Sequence, residues 1–422
     1  MICLVMILGA TTLEATTAGS STQFDVTSAT QSYLDRLDAE QRAASDAYFE
    51  GGYWLDLWGL LYGLAIAWVL LRYGISTSMR DLGERFSRFR FVRVVAYILQ
   101  YTLLVFVISL PLVIYRGFVR EHDYGLSNLS FADWFNEQLI GLGVELVLGT
   151  LGIALIYLVI RKAPKTWTIW GSVVGLGMLG FVFMISPVFI NPLFNEYQSL
   201  EAGPLKAKIL SLARANGVPA DDVYQFDASK QSTRISANVS GIFGTTRISL
   251  NDNLLNRTSS ASIEAVMGHE MGHYVLNHSQ KMLVFFGILM VIGFTFVRWA
   301  FGRVNRPAWG IRDVSDIAGL PLMLALFSTY LFLITPITNS IIRINEIEAD
   351  IFGLNASRQP DGFSEAILGL SEYRKMQPGY WEEIIFFDHP SGYNRIYMCM
   401  QWKLENPEFP QAQEQSPPES VD

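Results

Sequence analysis

Long apolar runs alternate with polar segments along most of the chain. Six of these runs contain the roughly 20 mostly apolar residues that a helix needs to cross a bilayer. A buried core helix of a soluble protein explains one or two runs of this length, but not six. We therefore predict six membrane-spanning helices, at about 53–72, 92–115, 138–160, 166–190, 282–302 and 317–342.

Two polar segments interrupt the predicted spans. Residues 191–281 follow the fourth span and have the mixed pattern of a small α+β insert, and residues 343–404 follow the sixth span. The second segment is predicted to be helical at first and then rich in loops. The insert is predicted to contain a helix at about 204–217, a strand near 222–227, a hairpin at 234–250 and a helix that begins at an N-cap among Thr258, Ser259 and Ser260.

The two ends of the sequence differ from the spans between them. Residues 1–16 contain the nine-residue apolar run ICLVMILGA, which is too short to span, and they lack the basic residues that normally open a signal peptide. We favour a cleaved signal peptide, with a retained short anchor as the alternative. Residues 405–422 are acidic and rich in Pro and Gln, which predicts a disordered tail. Between these two ends, four of the predicted spans lie in residues 17–190 and the other two lie in residues 282–342.

Composition narrows the class of protein and its partners. Half of the 422 residues are hydrophobic, 17% are charged, and the mean hydropathy is +0.27, which excludes a disordered chain and argues against an ordinary soluble enzyme. The net charge of −8 argues against a nucleic-acid partner, which would favour a basic surface. The cysteines are Cys3 and Cys399, too few for a disulfide framework.

The strongest chemical signal is the run Met-Gly-His-Glu-Met-Gly-His-Tyr. His269 and His273 are four residues apart and share one face of a helix, so both imidazoles can bind one Zn²⁺. Glu270 then reaches the water at that site as a general base. A chance match to H-E-x-x-H is rare in a chain with five histidines. The small residues Gly268 and Gly272 allow backbone or substrate to approach closely.

A hydrolytic zinc needs a third protein ligand and one open position. The candidates from sequence are His278, His389 or a carboxylate. The run Asn-Glu-Ile-Glu-Ala-Asp after the sixth span places Glu346 and Asp350 on one helical face. One of them as a ligand and the other orienting a ligand imidazole form a sensible pair. The alternative is an acidic first turn stabilised by the helix dipole.

In these residues the chain resembles the integral-membrane zinc peptidases. That family includes the CAAX prenyl endopeptidases and the bacterial heat-shock membrane protease. The resemblance runs from about residue 50 to residue 400. Besides the two runs above, it is carried by Asn-Pro-Leu-Phe-Asn at 191–195, Asp-Ala-Ser-Lys at 227–230, Ser-Ala-Asn-Val-Ser-Gly at 236–241, and His389-Pro390 with Arg395.

The resemblance implies a role for each residue of the metal site. His269, His273 and Glu346 become the ligands of one Zn²⁺ per chain. Glu270 becomes the general base, and Asp350 orients a ligand histidine. The implied fold class is a mainly α membrane protein, a multi-span helical bundle with a zincin-like α+β insert.

The resemblance also implies how the substrate carbonyl is held. His389 would face the scissile carbonyl and stabilise the developing oxyanion, with Arg395 supporting that pocket. Without the resemblance, the simpler interpretation of His389 is an exposed loop residue before a proline. His278 lies off the ligand face of a continuous helix, and we predict that it is a surface residue.

The hairpin ahead of the zinc helix is the expected substrate platform. The weak alternation up to Ser240 is typical of an edge strand, and zinc peptidases bind extended substrates along such an edge. Ala237 and Asn238 would lie there. The family usually has Asn-Ala-Tyr where this chain has Ser236, Ala237 and Asn238, which changes a side chain at the substrate platform but not the zinc chemistry.

Basic residues predict the orientation in the membrane. The segments at 72–93, 161–165 and 298–312 each carry at least three Arg or Lys residues, whereas the loop at 116–137 has two Arg and four acidic residues. The three basic segments share one side if every span crosses once. The positive-inside rule places that side in the cytoplasm, so the insert and its catalytic face lie outside a bacterial inner membrane. A miscounted span would reverse this orientation.

The sequence therefore predicts a membrane-embedded zinc endopeptidase that hydrolyses membrane-associated or misfolded proteins, with CAAX-type processing as a further option. Its partners are an extended polypeptide and the lipid bilayer, and its oligomeric state stays open. The eukaryotic family members have seven spans and a cytosolic site, so six spans and an outward-facing insert argue against a prenylated substrate.

Two alternatives from other classes remain at this point. One is an inactive membrane scaffold or chaperone, against which the intact Glu270 argues. The other is a transporter with a metal site. A transporter needs ionisable residues within its spans, and the sequence offers only Asp56, Glu145 and Asp316.

Overall fold

The structure is a computed structural model that describes residues 24–241 and 246–408. The predicted signal peptide and most of the predicted tail lie outside these residues. The α-helices of the described part are α1 Val26–Leu34, α2 Ala39–Arg72, α3 Ile75–Phe86, α4 Arg90–Ile114, α5 Arg120–Asp123, α6 Phe131–Lys162, α7 Trp167–Ile185, α8 Pro204–Ala215, α9 Asp252–Arg257, α10 Ser260–Val275, α11 His278–Val304, α12 Leu320–Ser357, α13 Pro360–Gly369, α14 Tyr380–Phe386 and α15 Gly392–Glu405. The β-strands are β1 Tyr197–Ser199, β2 Val223–Phe226, β3 Ala237–Ser240 and β4 Arg247–Asn251.

Six helices of the described chain are long and apolar enough to cross a membrane. They are α2, α4 continued to Asp123, α6, α7 continued to Leu193, α11, and α12 with a short lead from Ile317. The six predicted spans are therefore confirmed as long apolar helices. Many of their large side chains face outward, and Val147, Phe183 and Val284 are 68%, 64% and 65% exposed. Outward apolar surface on this scale suits contact with lipid.

Two of these helices, α2 and α12, extend furthest beyond their predicted bounds. α2 begins at Ala39 because the side chain of Asp38 accepts from the backbone N–H of Gln41, whose own side chain accepts from the Asp38 N–H. α12 continues to Ser357, well past the apolar run. Hydropathy detects only the apolar part of a helix, so the polar start of α2 was missed, whereas the helical start predicted for residues 343–404 is confirmed as the end of α12.

The basic segments meet at one end of the bundle. Arg80 pairs with the buried carboxylate of Asp316 at 2.6 Å, and Arg298 donates to the main-chain oxygen of Lys165 at 2.5 Å. These contacts join the loops after α2, α6 and α11, as expected if each span crosses once. Asp316 is therefore the ion-pair partner of Arg80 at this end of the bundle, and not an isolated charge of the kind that an ion-transport pathway would need.

The insert folds as a small sheet against two helices. The strand order is β1-β2-β4-β3, with β2 and β4 parallel and the two outer pairs antiparallel. Apolar side chains from α8, β2, β4 and α10 form its core. The predicted helix, strand and hairpin are confirmed as α8, β2 and the β3–β4 pair. β3 lies at one edge of this sheet.

Candidate metal centre and active site

The zinc motif lies on α10, which begins where the sequence predicts. The Ser259 side chain accepts from the backbone N–H of Ser262, so Ser259 is the N-cap among the three candidates. The helix continues to Val275, which places His269 and His273 one turn apart on the same face. The imidazole rings are 4.7 Å apart between their centres.

Glycines allow α10 and α12 to cross at backbone distance. A Cβ added to Gly268 would lie 2.9 Å from the main-chain oxygen of Gly353, and one added to Gly272 would lie 3.1 Å from the Cα of Ala349. A Cβ on Gly353 would in turn lie 2.7 Å from the nitrogen of His269. Larger residues would hold the helices apart, so these small residues are what brings Glu346 to the histidines.

The side chains of His269, His273 and Glu346 form a compact triangle at this crossing. The Nε2 atoms of His269 and His273 are 3.1 Å apart. Oε2 of Glu346 lies 3.3 Å from Nε2 of His269, and Oε1 of the same carboxylate lies 3.4 Å from Nε2 of His273. A tetrahedral zinc with bonds of about 2.0–2.2 Å separates its ligand atoms by roughly 3.3–3.6 Å. The two distances to the carboxylate lie in this range and the distance between the two imidazole nitrogens is slightly shorter, so these three side chains can hold one such cation.

The polar atoms of this triangle are poorly satisfied without a cation. Glu346 is 6% exposed, and its Oε2 accepts no well-formed hydrogen bond from the residues that the structure describes. Two neutral imidazole nitrogens facing each other at 3.1 Å also cannot form a hydrogen bond unless one carries the proton. A divalent cation removes both penalties, so the donor set fits zinc.

A buried ion pair holds the first histidine. Oδ1 of Asp350 lies 2.8 Å from Nδ1 of His269. Arg395 donates to both oxygens of Asp350, at 2.8 and 2.6 Å. A carboxylate on Nδ1 fixes the proton there and leaves the lone pair of Nε2 facing the metal position.

His278 is buried, so the prediction of a surface residue is wrong. It is 3% exposed, and its Nδ1 lies 2.9 Å from Nδ1 of His273. The prediction assumed one continuous helix. Instead, α10 ends at Val275, and Asn277 has the left-handed φ of 57°. This single residue turns the chain, so the His278 ring folds back onto His273.

His389 lies on the open side of the triangle. Its Nε2 is 3.2 Å from Oε2 of Glu346, and its Nδ1 is 2.7 Å from Oδ1 of Asp388. Burial lowers the pKa of His389, and the hydrogen bond to Asp388 opposes that shift. Arg343 holds the loop by donating to the carbonyl oxygens of Glu383 and Phe387, at 2.8 and 2.5 Å.

Asp388 and Arg343 were missed by the sequence analysis. A carboxylate directly before a candidate catalytic histidine is a signal that was available for Asp388. Nothing in the sequence pattern marks Arg343, because its role depends on how α12 packs on the loop.

A cavity of about 180 Å³ opens beside the triangle. Ala237, Glu270, His389 and Arg395 are among the residues that line it. Burial raises the pKa of the Glu270 carboxyl, and the two neighbouring histidines oppose that shift. A larger cavity of about 640 Å³ between the membrane helices and the insert shares Tyr373 with it.

The main chain of β3 alternates between β4 and the open edge. The carbonyl of Ser236 accepts from the N–H of Asn251, at 2.9 Å. In an antiparallel pair the next residue faces the other way, so the N–H and C=O of Ala237 point to the free edge. The main chain of Asn238 faces β4. Of the two predicted edge residues, only Ala237 therefore has main-chain hydrogen-bonding groups free for a substrate.

Comparison with known proteins identifies the family. The sequence profile of Peptidase family M48 matches residues 199–403, and the profile described as CAAX prenyl protease N-terminal, five membrane helices, matches residues 23–196. The chain is 31% identical to the uncharacterized metalloprotease YhfN of Bacillus subtilis over 346 aligned residues. The alignment covers 79% of this chain and 80% of that protein. The chain belongs to peptidase family M48.

Two further proteins are similar to this chain, one in sequence and one in fold. CAAX prenyl protease 1 of Saccharomyces cerevisiae is 31% identical over 263 residues, 60% of this chain and 58% of that protein. The crystal structure of S. mikatae Ste24p superposes with a TM-score of 0.74 at 24% identity, over 89% of this chain and 94% of that one. The fold class and the family resemblance are therefore confirmed.

Membership of M48 makes this chain a metallopeptidase, and the N-terminal family match together with the six long apolar helices makes it a multi-pass membrane protein. Its substrates are peptides, and its surroundings include the bilayer. The comparisons do not favour the scaffold or the transporter, since the relatives named above with an activity are proteases. A cluster of His269, His273 and Glu346 is present for the metal that the family implies.

Proposed function

We propose that this M48 peptidase is a zinc endopeptidase in which His269, His273 and Glu346 hold one Zn²⁺ per chain. The observation that carries the proposal is the triangle of 3.1, 3.3 and 3.4 Å around a buried carboxylate. When bound, zinc supplies an electrophile for the carbonyl oxygen and lowers the pKa of water at the site.

Glu270 acts as the general base. It lines the cavity one residue after a metal ligand, so it reaches the attacking water without occupying the metal position. A carboxyl whose pKa is raised by burial accepts a proton more readily, and later delivers it to the leaving amine.

His389 donates a hydrogen bond to the developing oxyanion. Asp388 accepts the proton of Nδ1 and so fixes the ring with Nε2 towards the site. The donor form therefore carries protons on both nitrogens. Arg395 supports the site through Asp350, because both of its hydrogen bonds to that carboxylate hold the partner of His269.

The substrate lies extended along the free edge of β3. Ala237 offers its N–H and C=O to the substrate main chain beside Glu270. Asn238 faces β4 with its main chain, so its contribution is a side chain at the substrate platform. An amide there favours polar contacts with the substrate over aromatic ones.

We propose that residues 191–281 and 343–404 form the catalytic unit, carried by the spans in residues 17–190 and 282–342. About 26 residues of α12, at about 1.5 Å each, separate the basic end from Glu346, a distance of about 40 Å. The metal site and the basic loops therefore belong to opposite ends of the bundle. With the basic loops in the cytoplasm, the site faces outward from a bacterial inner membrane.

The substrates that match this orientation are membrane-associated or misfolded proteins. CAAX-type processing is the second candidate, favoured by the similarity to yeast CAAX prenyl protease 1. It requires the opposite orientation if its prenylated substrate is cytosolic.

Replacing Glu270 by Gln tests the mechanism. Wild type and Glu270→Gln, purified in detergent, should each contain one zinc. Only wild type should cleave unfolded casein, and a chelator should stop it. The variant should lose at least about 100-fold in rate, because general base catalysis contributes about 10²- to 10⁴-fold.

The matched control is Glu264→Gln on the same helix. Glu264 pairs with Lys208 at 2.8 Å and does not line the site cavity, so this variant should cleave like wild type. Wild-type turnover by Glu270→Gln would rule out the proposed base.

A further inference from the structure

We propose that His278, with Glu348 behind it, is a positioning residue for the metal ligand His273. The proposal rests on the proposed function, because it concerns the same metal site. His278 would hold the ring of His273 by a hydrogen bond to Nδ1, as Asp350 holds the ring of His269.

A continuous line of polar atoms leads from His273 to the surface. Nδ1 of His273 is 2.9 Å from Nδ1 of His278, and Nε2 of His278 is 3.1 Å from Oε2 of Glu348. Lys281 donates to the same oxygen at 2.8 Å. The His278 side chain is 4% exposed and that of Glu348 is 43% exposed. The line therefore connects the metal site with an ion pair in contact with solvent.

One assignment of protons satisfies the whole line. Nε2 of His273 faces the metal position, so its proton is on Nδ1 and is donated to Nδ1 of His278. The proton of His278 is then on Nε2 and is donated to the Glu348 carboxylate. Each nitrogen has one role, and the two tautomers depend on each other.

His273 needs such a support more than His269 does. The side chain of His269 is 9% exposed and its ring lies 6.0 Å from that of Phe363, whereas the side chain of His273 is 26% exposed. Packing alone therefore constrains the second ring less. An apolar residue at position 278 would also leave the Nδ1 proton of His273 without this acceptor.

The same short stretch of α12 serves both histidines. Glu346 is a ligand, Asp350 holds His269 directly, and Glu348 holds His273 through His278. Residues two apart on a helix point in nearly opposite directions, so Glu348 cannot reach the triangle itself. The left-handed Asn277 places His278 where it bridges that gap.

Zinc release from the full-length protein in detergent tests the proposal. His278→Leu should bind zinc roughly 10- to 100-fold more weakly than wild type, the usual cost of losing a partner of a ligand histidine, and should release it faster to a chelator. The visible spectrum of the Co²⁺-loaded protein should also change. His278→Asn should restore part of the retention, because its side-chain oxygen can accept the His273 proton.

Glu348→Gln should accelerate zinc release in the wild-type background and have no further effect in the His278→Leu background, where the line is already broken. The matched control is Glu84→Gln, which removes the pair with Arg312 at 2.7 Å at the basic end of the bundle and should change nothing.

Wild-type zinc release and an unchanged Co²⁺ spectrum in folded His278→Leu would overturn the proposal. Equal effects of Glu348→Gln in both backgrounds would do the same. Thermal unfolding of the metal-free proteins establishes folding, and His278→Asn and Glu348→Gln carry the test if the Leu variant does not fold. A wild type without zinc overturns the proposed function as well, whereas insensitive variants of a zinc-loaded, active wild type overturn only this inference.

Discussion

The acidic residues that follow the sixth span have three different partners. Glu346 faces both motif histidines, Asp350 pairs with Arg395, and Glu348 pairs with Lys281. The four-residue spacing of Glu346 and Asp350 made their common face predictable. Glu348 had no such signal, because its partner reaches it only through a left-handed residue in a link between two helices. A local backbone conformation of this kind cannot be predicted from the hydrophobic pattern.

Removing Glu346 should weaken metal binding more than removing any orienting partner. Glu346→Ala leaves two imidazoles at the site, so the zinc should be lost on dialysis and activity with it. Metal content measured after dialysis checks this. The control Glu365→Ala changes a half-exposed carboxylate on α13, 3.7 Å from Arg36, and should keep its zinc. Full zinc retention by Glu346→Ala would remove Glu346 from the ligand set.

At the scale of elements, the apolar part of each span was predictable, and the polar start of α2 was not. The start of α2 depends on a reciprocal cap at Asp38, whereas the polar end of α12 was predicted as a helix from the spacing of its acidic residues. The edge strand was predictable from its alternation. Which of its residues faces the open edge was not, because that follows from the register with β4.

The crossing of α10 and α12 should be sensitive to one methyl group. Gly353→Ala places a Cβ 2.7 Å from the nitrogen of His269, so the helices must separate. Overpacking of this kind costs about 1–3 kcal/mol of folding free energy, and zinc retention should fall with it. Thermal unfolding and metal content measure the two effects. Gly369→Ala, which meets no atom within 4 Å, is the control, and identical behaviour of the two variants would contradict the prediction.

The edge strand offers a test of extended substrate binding. Ala237→Pro removes an N–H that faces the free edge and leaves the bonds to β4 in place. We expect kcat/KM to fall at least about tenfold with zinc content unchanged, because one N–H to a substrate carbonyl is lost. Asn238→Pro, at a position that faces β4, should instead lower the melting temperature. Normal kcat/KM in a folded Ala237→Pro protein would exclude this edge as the substrate platform.

At the scale of the molecule, α12 joins the basic end of the bundle to the metal site. Its first turn lies beside the loop of Asp316, and its last third carries Glu346. The sequence predicted which loops share a side, and the contacts between those loops agree. The orientation itself is a property of the protein in its membrane, so it needs a measurement there.

Two matched alanines report the orientation. Ala202 lies in the exposed loop before α8, and Ala308 in the exposed loop after α11. In a background without Cys3 and Cys399, a membrane-impermeant maleimide applied to intact spheroplasts should label Ala202→Cys and spare Ala308→Cys. Both should react after lysis. The reverse pattern in intact spheroplasts would place the catalytic unit in the cytoplasm and favour CAAX-type processing.

The separation of the proposed metal ligands along the chain has a consequence for biosynthesis. A ribosome releases the histidine pair of α10 well before Glu346, and His389 later still. Between them stand both remaining spans, which must enter the bilayer before α12 can cross α10. A half-made chain therefore carries a general base but no complete ligand set. Under the proposed mechanism, the nascent chain therefore has no peptidase activity towards other proteins at the translocon until its last span is inserted.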